Sequence, residues 1–128
     1  MILPILFIAT SSLKGRGVFS SIAIPAHTAV EVAPVLVLSA EDRVHAEKTM
    51  LYNYIFEWGE EGTQAIVALG YVSIYNHAIE YNCTYEMDFD TSTITITTAR
   101  DIAAGEELFI NYNPNGEEDK PVWFEMEG

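Results

Sequence analysis

Two stretches hold residues whose types and spacing could do chemistry. One is Ile74 to Cys83, reading Ile-Tyr-Asn-His-Ala-Ile-Glu-Tyr-Asn-Cys, and the other is Gly105 to Tyr112, reading Gly-Glu-Glu-Leu-Phe-Ile-Asn-Tyr. Asn76, His77 and Asn82 are polar, turn-favouring residues set directly after an apolar run, where chains place side chains meant to meet a ligand. Tyr112 closes a short predicted strand and is followed by Asn113, Pro114, Asn115 and Gly116, which puts its ring at the rim of a sheet. A third stretch, Lys14-Gly15-Arg16-Gly17-Val18-Phe19, offers backbone that a ligand can approach closely because glycine has no Cβ. Taken alone, a Gly-x-Gly is also the turn of a plain hairpin. The chemistry these groups could do is binding and orientation. Glu106 and Glu107 make a poor hydrolytic pair, since adjacent strand residues point to opposite faces. Cys83 is the single cysteine, which excludes an internal disulfide framework and a Cys-cluster zinc site.

The elements that must position these residues read as strands. The chain of 128 residues is one domain's length, and 49% of it is apolar or aromatic, enough for a real core. Met1 to Ala9 is apolar but contains Pro4, falls short of a membrane span and lacks the positive flank of a signal peptide, so it reads as a first strand. Val18 to Ile24 resumes strand chemistry after the glycine loop. Val30 to Leu38 is apolar with Pro34 inside it, which predicts two short strands or one broken edge strand. Ser39 with Asp42 three residues on predicts a short helix running to about Lys48, with His45 on its surface. Leu51 to Trp58 alternates, so that Tyr52, Tyr54, Phe56 and Trp58 would share one face of a strand. Tyr85 to Phe89 and Thr93 to Thr98 flank Asp90-Thr91-Ser92 as a hairpin with Ile94 and Ile96 inward. The fold class is all-β or β-rich, with one short helix.

In order and spacing, these motifs resemble a minimal SET domain, the β-rich family of S-adenosylmethionine-dependent protein-lysine methyltransferases, and in particular the short, stand-alone SET proteins of viruses and bacteria. The family's usual run of Asn-His-Ser, Pro-Asn, a hairpin, Gly-Glu-Glu-Leu and a tyrosine is met here by Asn76-His77-Ala78, Tyr81-Asn82-Cys83, Gly105-Glu106-Glu107-Leu108 and Tyr112. Ala78, Tyr81 and Val72 depart from the common Ser, Pro and Gly. The resemblance implies a SET core over residues 1–113, several short sheets in a β-clip fold with a C-terminal pseudo-knot. It leaves 114–128 as an acidic segment whose aromatic residues close the cofactor or substrate site.

The resemblance also implies roles. S-adenosylmethionine would be held by Arg16, Gly17 and Val18, by Asn76 and His77, and by Tyr112, with Trp123 or Phe124 over the adenine. Tyr112 would be the catalytic residue, orienting methyl donor and amine; Tyr54, Tyr85 and Ile110 would line the lysine channel, Tyr85 limiting the number of methyl groups. The residues alone leave open whether Tyr54 and Tyr85 are half-buried strand tyrosines, and whether His77 is structural. No metal is implied.

The net charge of −13 repels nucleic acid and anionic membrane and suits a basic, lysine-containing protein or peptide, histone-like or otherwise. Acidic surfaces also simply confer solubility. A catalytically weak SET-fold module that binds basic polypeptides is the competing function. The expected location is intracellular, cytoplasmic or with chromatin, and Val122 to Phe124 could serve a homodimer contact as easily as a lid.

Overall fold

A computed structural model describes residues 1–12, 15–59 and 61–111. Tyr112, Trp123 and the segment 114–128 lie outside the described residues. The strands are β1 (Leu6–Thr10), β2 (Arg16–Ser20), β3 (Ala29–Leu38), β4 (Ile55–Trp58), β5 (Gln64–Ala68), β6 (Asn76–His77), β7 (Cys83–Asp88), β8 (Thr93–Thr98) and β9 (Glu107–Ile110). One α-helix, α1 (Ala40–Ala46), and two short 3-10 turns, Met50–Asn53 and Val72–Ile74, complete the described elements. The strands run β1-β2-β9-β7-β8-β3-β5-β4 across the sheet, with β6 also paired to β9.

The predicted hairpin forms as β7 and β8, with Ile94, Ile96 and Thr98 buried on alternate positions. Ser39 caps α1 by accepting from the Asp42 amide at 3.1 Å, which satisfies one of the first-turn donors the helix leaves open. Pro34 does not break its strand. β3 is continuous over 10 residues, and Pro34 falls where its partner changes, from β8 over Ala29–Pro34 to β5 over Val35–Leu38. A missing N–H does not interrupt a ladder at that changeover.

The strand expected over Leu51 to Trp58 is half wrong. Thr49 accepts from the Leu51 amide at 3.1 Å and starts the 3-10 turn, so β4 begins only at Ile55 and Tyr54 sits in the turn before it. Phe56 and Trp58 do face the core. Phe56 packs on Tyr85 with ring centroids 6.0 Å apart, and Trp58 meets Phe89 edge-on at 4.8 Å. β4 ends the strand order while β7 lies inside it, so these aromatic pairs show the sheet curling until its far end meets its middle.

β9 is central. It pairs antiparallel with β2 and parallel with both β6 and β7, its Leu108 and Ile110 fully buried. Asn82 fixes it there. The Asn82 amide oxygen accepts from Phe109 N–H at 2.7 Å and its amide nitrogen donates to the Glu107 carbonyl at 2.8 Å. A fully buried asparagine thus clamps the strand that leads toward Tyr112.

Candidate functional site

The glycine loop, the Asn-His strand and β9 meet around one carboxylate. Glu107 lies nearly buried beneath Gly17, where Ser11 Oγ donates to its Oε1 at 2.9 Å and Asn76 Nδ2 donates to its Oε2 at 2.8 Å. The same Asn76 nitrogen donates to the Arg16 carbonyl at 3.0 Å. A Cβ on Gly17 would run into the Glu107 carboxylate, standing 2.8 Å from its Cδ and 3.1 Å from Asn76 Nδ2. Gly17 is therefore required by close approach and not by its dihedral angles. Val18, next along, is fully buried against β9 opposite Leu108.

The Asn76 amide nitrogen thus joins the Glu107 carboxylate of β9 to the backbone of the glycine loop. Arg16 is exposed, and Gly15, with φ of 60°, has open space where a side chain would stand. An exposed guanidinium beside backbone free of side chains is chemistry compatible with the carboxylate of an amino-acid-like ligand. His77 continues the strand, half-buried and paired with Ile110.

The predicted channel residues are partly gathered. Tyr85 is partly buried against Phe56, and burial pushes its phenol up to about 12, so it stays neutral at physiological pH. Tyr54 is 36% exposed two residues before Phe56, its carbonyl accepting from Ser73 Oγ at 2.7 Å. The Ile110 side chain is fully buried in the core, and its carbonyl accepts from the Ala78 amide at 3.0 Å. Cys83 is buried too, its thiol pushed up to about 12 by desolvation, which removes it as a nucleophile.

Glu106 and Glu107 occupy separate environments, as their adjacency requires. Glu106 is tied to Arg100 at 2.6 Å, and that hydrogen bond holds its carboxyl below the ordinary range. Two participants escape a sequence reading. Ser11 carries no signal beyond its place before the glycine loop. Glu31 does carry one, as a lone charge inside the apolar run from Val30 to Leu38, and it is fully buried. Among the described residues, no group of three or more His, Cys, Asp and Glu could hold a metal ion.

Fold and site together define a curled β scaffold in which a glycine loop, an Asn-His strand and a central strand meet around one buried carboxylate. The SET domain family model matches residues 15–113. A histone-lysine N-methyltransferase of Schizosaccharomyces pombe, specific for H3 lysine-37, is 39% identical over 115 residues, covering 89% of this chain and 73% of that protein. Among solved structures, a candidate histone methyltransferase of Plasmodium falciparum superposes with a TM-score of 0.68 at 27% identity, over 87% of this chain and 95% of that one. Polycomb Repressive Complex 2 of Chaetomium thermophilum, solved in an autoinhibited conformation with S-adenosylmethionine, gives a TM-score of 0.73 at 23% identity, over 88% of this chain and 16% of that one. The chain belongs to the SET-domain family. That makes it a protein-lysine N-methyltransferase by class, with S-adenosylmethionine as the family's cofactor.

Proposed function

We propose that this protein transfers a methyl group to a lysine side chain of a basic, histone-like protein, holding its cofactor at Arg16, Gly17, Val18, Asn76 and His77. The observation that supports the reading is the network itself: Asn76 Nδ2 donates both to Glu107 and to the Arg16 carbonyl, and Gly17 packs on the Glu107 carboxylate, so the glycine loop, the Asn-His strand and β9 meet at one point. S-adenosylmethionine, when bound, supplies the electrophilic methyl. The protein's work is alignment of that methyl with a neutral lysine amine, and alignment of two reactants can account for roughly 7–11 kcal/mol of barrier. Tyr112 follows Asn111 in the sequence, and its proposed role is to orient the amine. Its assigned part in the reaction is positioning and not proton abstraction.

Tyr85 and Tyr54 wall the lysine channel with Ile110 behind them, aromatic faces guiding the cationic side chain and packing its stem. Trp123 covers the adenine. The charge of −13 and the H3 lysine-37 specificity named for the Schizosaccharomyces pombe relative support a histone-like substrate. Tyr112→Phe tests the catalytic assignment. The variant is expected to bind cofactor as the parent does and lose most turnover; full turnover would remove Tyr112 from the mechanism. Tyr85→Phe is expected to raise the number of methyl groups per lysine, read by mass spectrometry of the product, and an unchanged methyl count would free Tyr85 from that role.

A further inference from the structure

The strand that carries Asn76 and His77 is two residues long, too short to hold its own conformation. Glu107 holds it from one side. A second buried carboxylate, which that network does not use, is bonded to the segment just before it in the chain. Glu31 is fully exposed to the core and not to solvent, yet it sits in β3 beside Val30, which is also fully buried. Consecutive strand residues ordinarily face opposite ways. Here the β3–β8 register shifts between Ala29 and Glu31, and the bulge turns both side chains inward.

Three further features serve that one carboxylate. Tyr75 Oη donates to Glu31 Oε1 at 2.9 Å, and the Tyr71 amide donates to Oε2 at 2.7 Å. Gly70 turns at φ of 86°, and any Cβ there would collide with Glu31 Oε2. Both donors lie on the segment that runs straight into Asn76. Tyr75 itself is almost wholly buried, so its ring and hydroxyl form a fixed post one peptide bond before the cofactor strand. Stability alone would be served as well by apolar residues at these positions, since a buried carboxylate is costly to desolvate.

We infer that the Glu31–Tyr75 pair is a positioning device that sets β6, and with it Asn76 and His77, in register for cofactor binding. Glu31 touches no cofactor. It acts through Tyr75, fixing where the Asn76 amide can reach Glu107 and Arg16. The inference rests on the reading of that strand as part of the cofactor site.

The test compares Glu31→Gln, Tyr75→Phe and the double variant by amide hydrogen exchange and by calorimetric titration with S-adenosylmethionine. Each single variant should speed exchange at His77 and Ala78 about tenfold while leaving β8 amides unchanged, and should weaken cofactor binding by about tenfold, the loss of one hydrogen bond to a charged group. The KM for cofactor should rise with kcat held. The double variant should be no worse than either single one, because the two residues act as one unit. Uniform acceleration across β6, β7 and β8, or exchange at His77 and Ala78 equal to the parent's, would overturn the positioning role. Should Glu31→Gln fail to fold, Tyr75→Phe, which keeps the ring in the core, decides. A parent protein that binds no cofactor would count against the site assignment, while the exchange data would still decide whether Glu31 and Tyr75 hold β6.

Discussion

Alanine at Gly17 would force a methyl group into the space of the Glu107 carboxylate, which Ser11 and Asn76 pin from two sides and so cannot swing away. Overpacking of this kind costs about 1–3 kcal/mol. Gly17→Ala is therefore expected to lower the urea midpoint and weaken cofactor binding together; an unchanged midpoint would mean that Glu107 has room to move. Asn76 was legible from the sequence because a short polar motif after an apolar run names it directly. The reason Glu31 is tolerated in an apolar strand was not, since its donors come from 40 and 44 residues away and its inward turn depends on a bulge. A local pattern records a lone charge and cannot show which distant amide meets it.

At the scale of elements, α1 is fastened to the β4–β5 hairpin by one side chain. Arg43 donates to the Gly62 carbonyl at 2.7 Å and the Gln64 carbonyl at 3.2 Å, and pairs with Glu47 at 2.8 Å and Glu57 at 3.0 Å. The Glu57 side chain is 51% exposed, so that ion pair adds little and the backbone carbonyls carry most of the effect. Arg43→Ala should cost about 1–2 kcal/mol in urea unfolding, and a loss near zero would show that α1 is held by other contacts. Ser39 announced the start of α1 because a cap is a local signal. Alternation over Leu51 to Trp58 misplaced the start of β4, because Thr49 capping a 3-10 turn competes with strand pairing and wins as far as Tyr54. The partner change at Pro34 depends on two other strands, so the proline predicted a break where the fold makes a junction.

For the whole molecule, charge and pH act in separable ways. Burial raises the Glu31 carboxyl above its ordinary 4.5, outweighing Tyr71, Tyr75 and the Met1 ammonium, which pull it down. A raised carboxyl binds its proton more tightly in the folded state, so folding stability falls as pH rises from 4.5 through the folded value. Glu106, lowered chiefly by Arg100, does the opposite and withdraws stability as pH falls below 4.5. Glu31→Gln removes only the first effect. Its stability relative to the parent should therefore climb as pH rises above 4.5 in urea titrations, and a pH-independent difference would contradict the assignment. The charge of −13 predicts that KM for a lysine-rich peptide rises with added salt while cofactor affinity changes little. The sequence showed the charge at once. The curl of the sheet, closed by Phe56 on Tyr85 and Trp58 on Phe89, joins residues whose partnership no short-range pattern encodes.

The most direct test of the central claim is transfer of labelled methyl from S-adenosylmethionine to core histones, with the acceptor mapped by mass spectrometry. Label on a lysine side chain, lost in Tyr112→Phe and in Asn76→Ala, is the predicted result. Saturable cofactor binding with no label on any histone or lysine-rich peptide would contradict it, and would leave a fold that holds its cofactor without passing on the methyl group.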